Sequence, residues 1–288
     1  MASLRETRRR ITSVKNTRQI TRAMKLVAGA KLRRATDAAL AAKPYQDTLQ
    51  RVLSRVTANA GDVEHPLLAT PNNTSDVIVI VMSSDRGLCG AFNSQLLRAA
   101  QGNIDALIAD GKSVQIYAYG KKAVAHFQSR GYTVAATTIE VAPEDYAEEA
   151  SRLAQRLMTE LGNDGFERVI LAFNAYQSVM VQEPTFEQIL PMALESGEES
   201  VGSGGDFIYE PTGEEILGRL LPMSLRTRLF QALLETQAGE QASRMAAMDN
   251  ATRNASELID SLTLVYNRAR QAAITTELTE IVSGAEAL

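Results

Sequence analysis

The sequence predicts an α/β fold in which two long terminal helices flank a compact domain of alternating strands and helices. From Leu4 to Ala60 there is one glycine and one proline, and residues 223–283 contain one glycine and no proline. At ~1.5 Å per residue each helix would span roughly 80–90 Å. Because helices of that length far exceed the usual length of about three turns, each needs a partner, and the obvious partner for each is the other.

The N-terminal helix carries a stripe at alternating spacings of three and four residues, which is the period of a left-handed coiled coil. The stripe comprises Leu4, Thr7, Ile11, Val14, Arg18, Thr21, Lys25, Ala28, Leu32, Ala35, Ala39, Ala42, Gln46, Leu49, Leu53 and Val56. The predicted C-terminal stripe comprises Met248, Ala251, Ala255, Leu258, Leu262, Val265, Ala269 and Ala272. Alanine lets two backbones approach closely but buries little area, so we expect a third body to pack on the pair. A helix-bundle core would explain the same positions, but the sequence lacks the third and fourth long helices of a bundle.

Composition excludes several classes of protein. No stretch approaches the ~18–20 apolar residues that span a bilayer, and the N-terminus has no apolar secretory segment. It has the basic, amphipathic composition of a mitochondrial transit peptide, but the coiled-coil stripe runs straight through it. The single cysteine, Cys89, excludes an internal disulfide and a CxxC site, and with two histidines we expect no metal site. A reducing cytoplasm fits this composition.

Charge is concentrated at the N-terminus. Residues 1–34 hold eleven Lys and Arg side chains, among them Arg8 and Arg9, against the single acid Glu6, whereas the whole chain has a net charge of −4. A basic helix of this kind indicates an acidic partner, which is nucleic acid, anionic lipid or an acidic protein surface. Nucleic acid remains an alternative, although no aromatic residue that could stack on bases precedes Tyr45.

The middle of the chain alternates between strand-like and helical patterns. Apolar, β-rich runs occur at 77–82, 114–119, 132–141 and 169–173, with another near 178–182, and helical patterns occur at 92–109, 121–129 and 144–161. This alternation predicts βαβ units and a mainly parallel sheet.

The segment before the last helix reads differently. Residues 195–205 are acidic and rich in Gly and Ser, which predicts a mobile loop. A short strand at 207–209 is expected to rejoin the sheet before Pro211 and Pro222 lead into the last helix. We therefore predict an N-terminal coiled-coil helix (1–60), an inserted α/β domain (75–210) and a C-terminal coiled-coil helix (211–288).

One segment is a candidate for chemistry. Residues 83–93, SSDRGLCGAFN, follow the first strand and open a helix, the place where phosphates bind in α/β proteins. The segment matches neither GxxxxGK[ST] nor GxGxxG, and Cys89 has no candidate base nearby in sequence. We therefore interpret it as a structural turn or protein contact and expect no catalytic site or cofactor, with a nucleotide-dependent enzyme as the weaker alternative.

Three motifs resemble the γ subunit of F-type ATP synthases over the whole chain. They are the N-terminal ITSVKNTRQITRAMKLVAGAKLRRA, the central SSDRGLCGAFN and the C-terminal MAAMDNATRNASELIDSLTLVYNRARQAAITTELTEIVSGAEAL. The resemblance implies an antiparallel coiled coil of the terminal helices with an inserted Rossmann-like domain. It implies the rotor shaft of a proton-translocating complex, with partners in the α and β subunits, the ε subunit and the membrane c-ring. It also implies a peripheral position on the cytoplasmic side of the bacterial plasma membrane, without insertion into the bilayer and without nucleic acid.

The resemblance assigns contacts to positions that match its motifs. Met24, Cys89 and the basic residues Arg8 and Arg9 are expected to face the β subunit, the first two near its acidic lever segment. A β-subunit loop is expected to contact the polar set Arg270, Gln271 and Thr275. Contacts with the c-ring and ε are assigned to Tyr209 and Glu210.

Overall fold

The computed structural model describes residues 4–60, 65–68, 75–163, 165–192 and 212–286. Within them the α-helices are α1 (Leu4–Ala60), α2 (Phe92–Ala109), α3 (Lys121–Gln128), α4 (Tyr146–Asn163) and α5 (Gly213–Glu286). The strands are β1 (Asp76–Met82), β2 (Ser113–Tyr119), β3 (Val134–Thr138), β4 (Arg168–Tyr176) and β5 (Gln182–Leu190). The predicted α/β fold with long terminal helices is confirmed. The predicted loop at 195–205 and strand at 207–209 lie outside the described residues.

A five-stranded, mostly parallel sheet forms the centre of the α/β part. Its order is β3-β2-β1-β4-β5, and only β5 runs antiparallel, against β4. The central strand β1 reads DVIVIVM and is buried from Val77 onwards. An unbroken apolar run is what a parallel strand covered on both faces requires. On one face pack α2 and α3, and on the other pack α4, the part of α5 near residues 217–234 and the end of α1.

Two strand predictions need correction. The strand predicted near 178–182 is a turn, in which Ser178 and Val181 exchange backbone hydrogen bonds, and the strand is β5 instead. The apolar residues that suggested it lie at the turn, where Met180 is 82% exposed. Pro184 and the charged residues of β5 concealed this strand in the sequence. Among the described strands β5 lies at an edge of the sheet, where a proline is tolerated. β3 is also shorter than the predicted 132–141.

The predicted placement of Pro222 also needs correction. Pro222 lies inside α5 and not before it, and Pro44 lies inside α1. A proline inside a helix costs about 3 kcal/mol. In α5 that cost is offset by packing, because Leu217, Leu221 and Leu225 are fully buried on one helical face.

The chain divides into two compact units, residues 30–243 and residues 1–29 with 244–288. In the second unit α1 and α5 pair antiparallel. Thr21 contacts Thr252, Lys25 contacts Asp249, and Gly29 lies against Met245. Every position of the predicted α1 stripe is buried or half-buried, which confirms it.

The predicted α5 stripe is confirmed at five of its eight positions. Met248, Ala251, Ala255, Leu262 and Ala269 are buried or half-buried as expected, but Leu258, Val265 and Ala272 are exposed. The buried or half-buried positions are instead their neighbours Ile259, Tyr266 and Ala273. From Ala255, Leu262 and Ala269, steps of three and of four both lead to an apolar or aromatic side chain. The sequence of α5 alone therefore could not decide which of the two faces α1.

Candidate functional site: partner-contact surfaces

The loop between β1 and α2 uses its polar groups internally. The Ser83 hydroxyl accepts a hydrogen bond from the Ala123 amide at 2.8 Å. The Asn93 side-chain oxygen accepts one from the Ser84 amide at 3.0 Å, and the Asn93 amide nitrogen donates to the Ser84 hydroxyl at 2.8 Å. These groups are therefore occupied in holding the loop and are not presented to a phosphate.

The same loop joins the ends of three neighbouring strands. The Asp85 carboxylate accepts hydrogen bonds from the amides of Lys121, at 2.9 Å, and Glu140, at 3.1 Å. Gly120 has a φ of +87°, and a Cβ there would lie 2.3 Å from the Ser83 carbonyl oxygen. Only glycine fits this close approach of two backbones. We conclude that SSDRGLCGAFN is a structural joint at the carboxyl edge of the sheet.

The crevice where α/β sheets bind ligands is occupied by the chain itself. In this strand order the topological switch point lies between β1 and β4, and ligands of open α/β sheets bind there at the carboxyl ends of the strands. The buried Asn174 at the end of β4 donates to the Phe92 carbonyl at 3.2 Å. A Cβ on Gly239 of α5 would lie 2.9 Å from the Phe92 ring. Helix α5 therefore covers this crevice, which argues against a nucleotide site.

A cavity of about 150 Å³ lies beside the ends of β2 and β3, smaller than the ~300–1,000 Å³ of ordinary ligand pockets. Its arginines are already paired, Arg152 with Glu149 at 2.9 Å and Arg156 with Glu160 at 2.9 Å. Burial and a hydrogen bond to Glu160 raise the pKa of Tyr117 to about 12, so this phenol stays neutral. In the described ranges no three His, Cys, Asp or Glu side chains are grouped to hold a metal ion.

Cys89 is 2% exposed, and its sulfur lies 3.2 Å from the Asn93 amide nitrogen, which donates to it. The contact predicted for this position therefore cannot be made by the thiol in this conformation. Its neighbour Leu88 is 65% exposed and adopts a φ of +62°. Positive φ is unusual for a branched residue and turns its side chain outward here. Sequence patterns carry no signal for this φ, so the exposure of Leu88 was not predicted.

The basic face of α1 is exposed. Arg8, Arg9, Arg10 and Lys15 all point to solvent. Further along, Lys25 forms an ion pair with Asp249 at 2.6 Å. The hydrogen bond from Lys25 lowers the pKa of Asp249.

Met24 lies beside an apolar patch on α1. It is half-buried, whereas Ile20 and Val27, four residues before and three after it, are exposed. This spacing places the three side chains on one helical face. The predicted contact at Met24 is therefore located on an accessible apolar surface.

The end of α5 extends past its partner. In the register set by Lys25 and Asp249, the first described residue of α1, Leu4, falls opposite Arg270. The following residues up to Glu286 would add about 24 Å of helix. The predicted contacts Arg270, Gln271 and Thr275 are exposed at this point. Exposed apolar side chains continue beyond them, at Ile274, Leu278, Ile281 and Val282.

The remaining predicted contacts, Tyr209 and Glu210, lie outside the described residues. In the parts of the chain that the structure describes, no helix has the length and apolar character to cross a membrane.

Comparison with known proteins gives matches over the full length of the chain. A family model described as ATP synthase matches residues 3–288. The ATP synthase gamma chain of Rhizorhabdus wittichii is 46% identical over 294 residues, and that of Trichlorobacter lovleyi is 42% identical over 288 residues. Each alignment covers 100% of this chain, and 100% and 99% of the relative, respectively.

Solved structures share the fold. A chain of the Euglena gracilis mitochondrial ATP synthase in rotational state 3 aligns with a TM-score of 0.66 and 19% identity. The alignment covers 99% of this chain and 94% of the other. A chain from the central stalk and c-ring of the Tetrahymena thermophila mitochondrial ATP synthase aligns with a TM-score of 0.57 and 21% identity. It covers 81% of this chain and 99% of the other.

The exposure of the loop predicts a difference in thiol reactivity. A maleimide should label Cys89 far more slowly than a cysteine introduced by Leu88→Cys in a Cys89→Ser background, because reaction needs access to the sulfur. The measurement is the labelling rate of each folded chain, with labelling in denaturant as the control for intrinsic reactivity. Equal rates in the folded chains would mean that the Cys89 side chain is not held inside the loop.

Proposed function

Because the chain belongs to the ATP synthase gamma-chain family over its whole length, we propose that it is the central rotor shaft of a proton-translocating F-type ATP synthase. In this role it carries rotation of the membrane c-ring to the ring of α and β subunits, where ATP is made or hydrolysed. The observation that carries the proposal is the antiparallel pair of α1 and α5 with an uncovered end on α5.

A shaft has to be stiff and has to present different faces to identical neighbours. Two helices that contact each other along a seam resist bending better than either would alone. The faces of this pair differ, since α1 exposes cations at Arg8, Arg9 and Lys15 whereas the end of α5 exposes apolar side chains such as Leu278. Each β subunit would then meet a different face and adopt a different affinity for nucleotide, which is coupling through differential contacts.

The proposed β-subunit contacts fall on three exposed surfaces. Arg8 and Arg9 attract the acidic segment of β, and because these cations are exposed, salt should weaken that attraction. Met24 contacts the same segment through the apolar patch it shares with Ile20 and Val27. At the start of the uncovered end of α5, a β-subunit loop binds the polar set Arg270, Gln271 and Thr275. At the β1–α2 loop the contact is made by Leu88, since Cys89 is buried.

The α/β part holds the base of the shaft. It binds the ε subunit and the c-ring through the region of Tyr209 and Glu210. The chain itself is non-catalytic, which the filled switch-point crevice under α5 supports. The complex lies on the cytoplasmic side of the bacterial plasma membrane, with this chain peripheral to the bilayer. The nucleic-acid alternative is not supported by the family match.

Co-expression with the α and β subunits of the same complex tests this function. The chain alone should neither bind nor hydrolyse ATP, and the purified assembly should contain one copy per ring and hydrolyse ATP. Steady hydrolysis by the ring should fall when the chain is omitted, because nothing then drives the β subunits through different affinities. Nucleotide bound to the isolated chain, or the absence of any stable assembly, would contradict the proposal.

Removal of the exposed cations on the basic face of α1 should weaken the coupling of proton flow to ATP synthesis more than it weakens assembly. We expect the quadruple variant Arg8→Gln, Arg9→Gln, Arg10→Gln and Lys15→Gln to assemble but to make less ATP per proton translocated, because its attraction to acidic segments is lost. The measurement is proton-driven ATP synthesis in membrane vesicles, normalised to the amount of assembled complex.

A matched control removes four other exposed cations from the same helix, through Lys31→Gln, Arg33→Gln, Arg34→Gln and Lys43→Gln. Both variants lose the same charge, so only the position differs. Equal coupling in the parent and in the variant that lacks the four cations of the basic face would rule out a contact between this face and the β subunit.

A further inference from the structure

A polar layer interrupts the alanine-rich contact between α1 and α5. The hydroxyls of Thr21 and Thr252 lie 2.8 Å apart, and Thr21 is 8% exposed. Each hydroxyl also lies within hydrogen-bond distance of its own helix, Thr21 of the Arg18 carbonyl at 3.1 Å and Thr252 of the Met248 carbonyl at 2.7 Å. One hydroxyl can donate across the pair while the other donates along its helix, so the bond between the two helices forms only when the threonines face each other.

A charged pair lies one turn away. Lys25 and Asp249 are joined at 2.6 Å, and Arg253 lies 3.6 Å from the second oxygen of the same carboxylate. Lys25 follows Thr21 by four residues on α1, and Asp249 precedes Thr252 by three on α5. The threonine pair and the ion pair therefore belong to one antiparallel register.

Within residues 1–29 and 244–288, the rest of the contact distinguishes registers poorly. Its positions include several alanines, such as Ala28, Ala255 and Ala269, and an alanine packs against other small apolar side chains with little preference. The polar layer behaves differently. If α5 slid by one heptad, Thr21 would face Ile259 or Met245, and Lys25 would face Ser256 or Ala242. In either case the hydrogen bond between the helices is lost, while each hydroxyl keeps the carbonyl of its own helix, and the half-exposed Lys25–Asp249 pair is broken. Both losses cost free energy, the ion pair only modestly because it is partly exposed.

We propose that Thr21, Lys25, Asp249 and Thr252 are positioning residues that fix the axial register of α1 against α5. A single polar residue in a coiled-coil contact is known to select register at some cost in stability. Leu53 of α1 and Leu217 of α5 already share one buried core, and beyond it the layer keeps the alignment of the two helices up to the start of α1. It therefore keeps the length of α5 that extends past α1. A slip of one heptad would move that point by about 10 Å.

The consequence for activity rests on the proposed rotor function. The contacts assigned to Arg270, Gln271 and Thr275 lie where α5 leaves its partner. A shift of about 10 Å along the pair would move them away from any fixed loop of a surrounding subunit. The layer would then preserve coupling by keeping this polar set at one height.

Disulfide cross-linking of the full chain, assembled with its α and β subunits, measures the register directly. In a Cys89→Ser background, Val14→Cys with Ile259→Cys reports the observed register, since these positions lie one heptad from Thr21 and Thr252. Val14→Cys with Tyr266→Cys reports the register slipped by one further heptad. The parent should cross-link only the first pair. Replacing the four layer residues by alanine should produce cross-linking of the second pair and loss of part of the first.

The control replaces four exposed side chains of the same two helices through Thr17→Ala, Arg22→Ala, Asn254→Ala and Glu257→Ala. It removes the same numbers of cationic, anionic and neutral polar groups and should leave cross-linking unchanged. Should the alanine layer variant fail to assemble, the variant Thr21→Val, Lys25→Met, Asp249→Leu and Thr252→Val keeps the packing volume. Slipped cross-links are expected in it as well.

Cross-linking of the first pair alone in both layer variants would overturn the proposal, whatever the function of the chain. ATP-driven proton pumping, measured on the same variants, tests the link to the rotor function separately. We expect pumping per ATP to fall in the layer variants and to stay at the parent level in the control. If the second pair cross-links in the layer variants but pumping is unchanged, the four residues fix the register, and the proposed effect of the register on coupling is wrong.

Discussion

The structure depends on one continuous helix, α5, that is buried in two different ways along its length. Its first part inserts large side chains into the core of the α/β unit, where Leu217, Leu221 and Leu229 are fully buried. Its later part pairs with α1 through smaller contacts such as Ala255 and Ile259. Because the two parts share one helical backbone, a force that turns the first part also acts on the second. The same helix passes close to the Phe92 ring at Gly239, at the carboxyl edge of the sheet.

The pair of α1 and α5 combines close approach with weak specificity. Alanine and Gly29 let the backbones come together, and the Cβ that glycine lacks would lie 3.4 Å from the Met245 sulfur. Such contacts bury little apolar area, so a pair of this composition is marginal by itself. A shaft enclosed by a ring of other subunits gains its support from the ring, and its own sequence has to specify alignment more than stability. The buried Thr21–Thr252 contact and the Lys25–Asp249 pair serve that need.

Much of the fold was predictable from the sequence because its signals were long and regular. The bounds of α1 and α2 are those predicted, and the α1 stripe is confirmed at every position, since one period kept from Leu4 to Val56 leaves little ambiguity. The failures share a cause, which is that tertiary contacts decided between locally equivalent choices. Ile259, and not Leu258, is buried on the side of α5 that faces α1. The helix continues through Pro222 because its neighbours are buried. Met180 suggested a buried strand but is exposed at a turn. At the site, Cys89 was assigned a partner contact by motif, whereas the positive φ of Leu88 exposes the neighbouring side chain.

Rotation of the chain inside the assembled complex is the measurement that tests the account most directly. A probe can be attached through Met180→Cys in a Cys89→Ser background, because Met180 is the most exposed of the large apolar side chains in the described residues. With the ring of α and β subunits fixed to a surface, the probe should turn in one direction while ATP is hydrolysed and should stop when ATP is removed. Continued hydrolysis with a stationary probe would contradict the conclusion that this chain is the rotor.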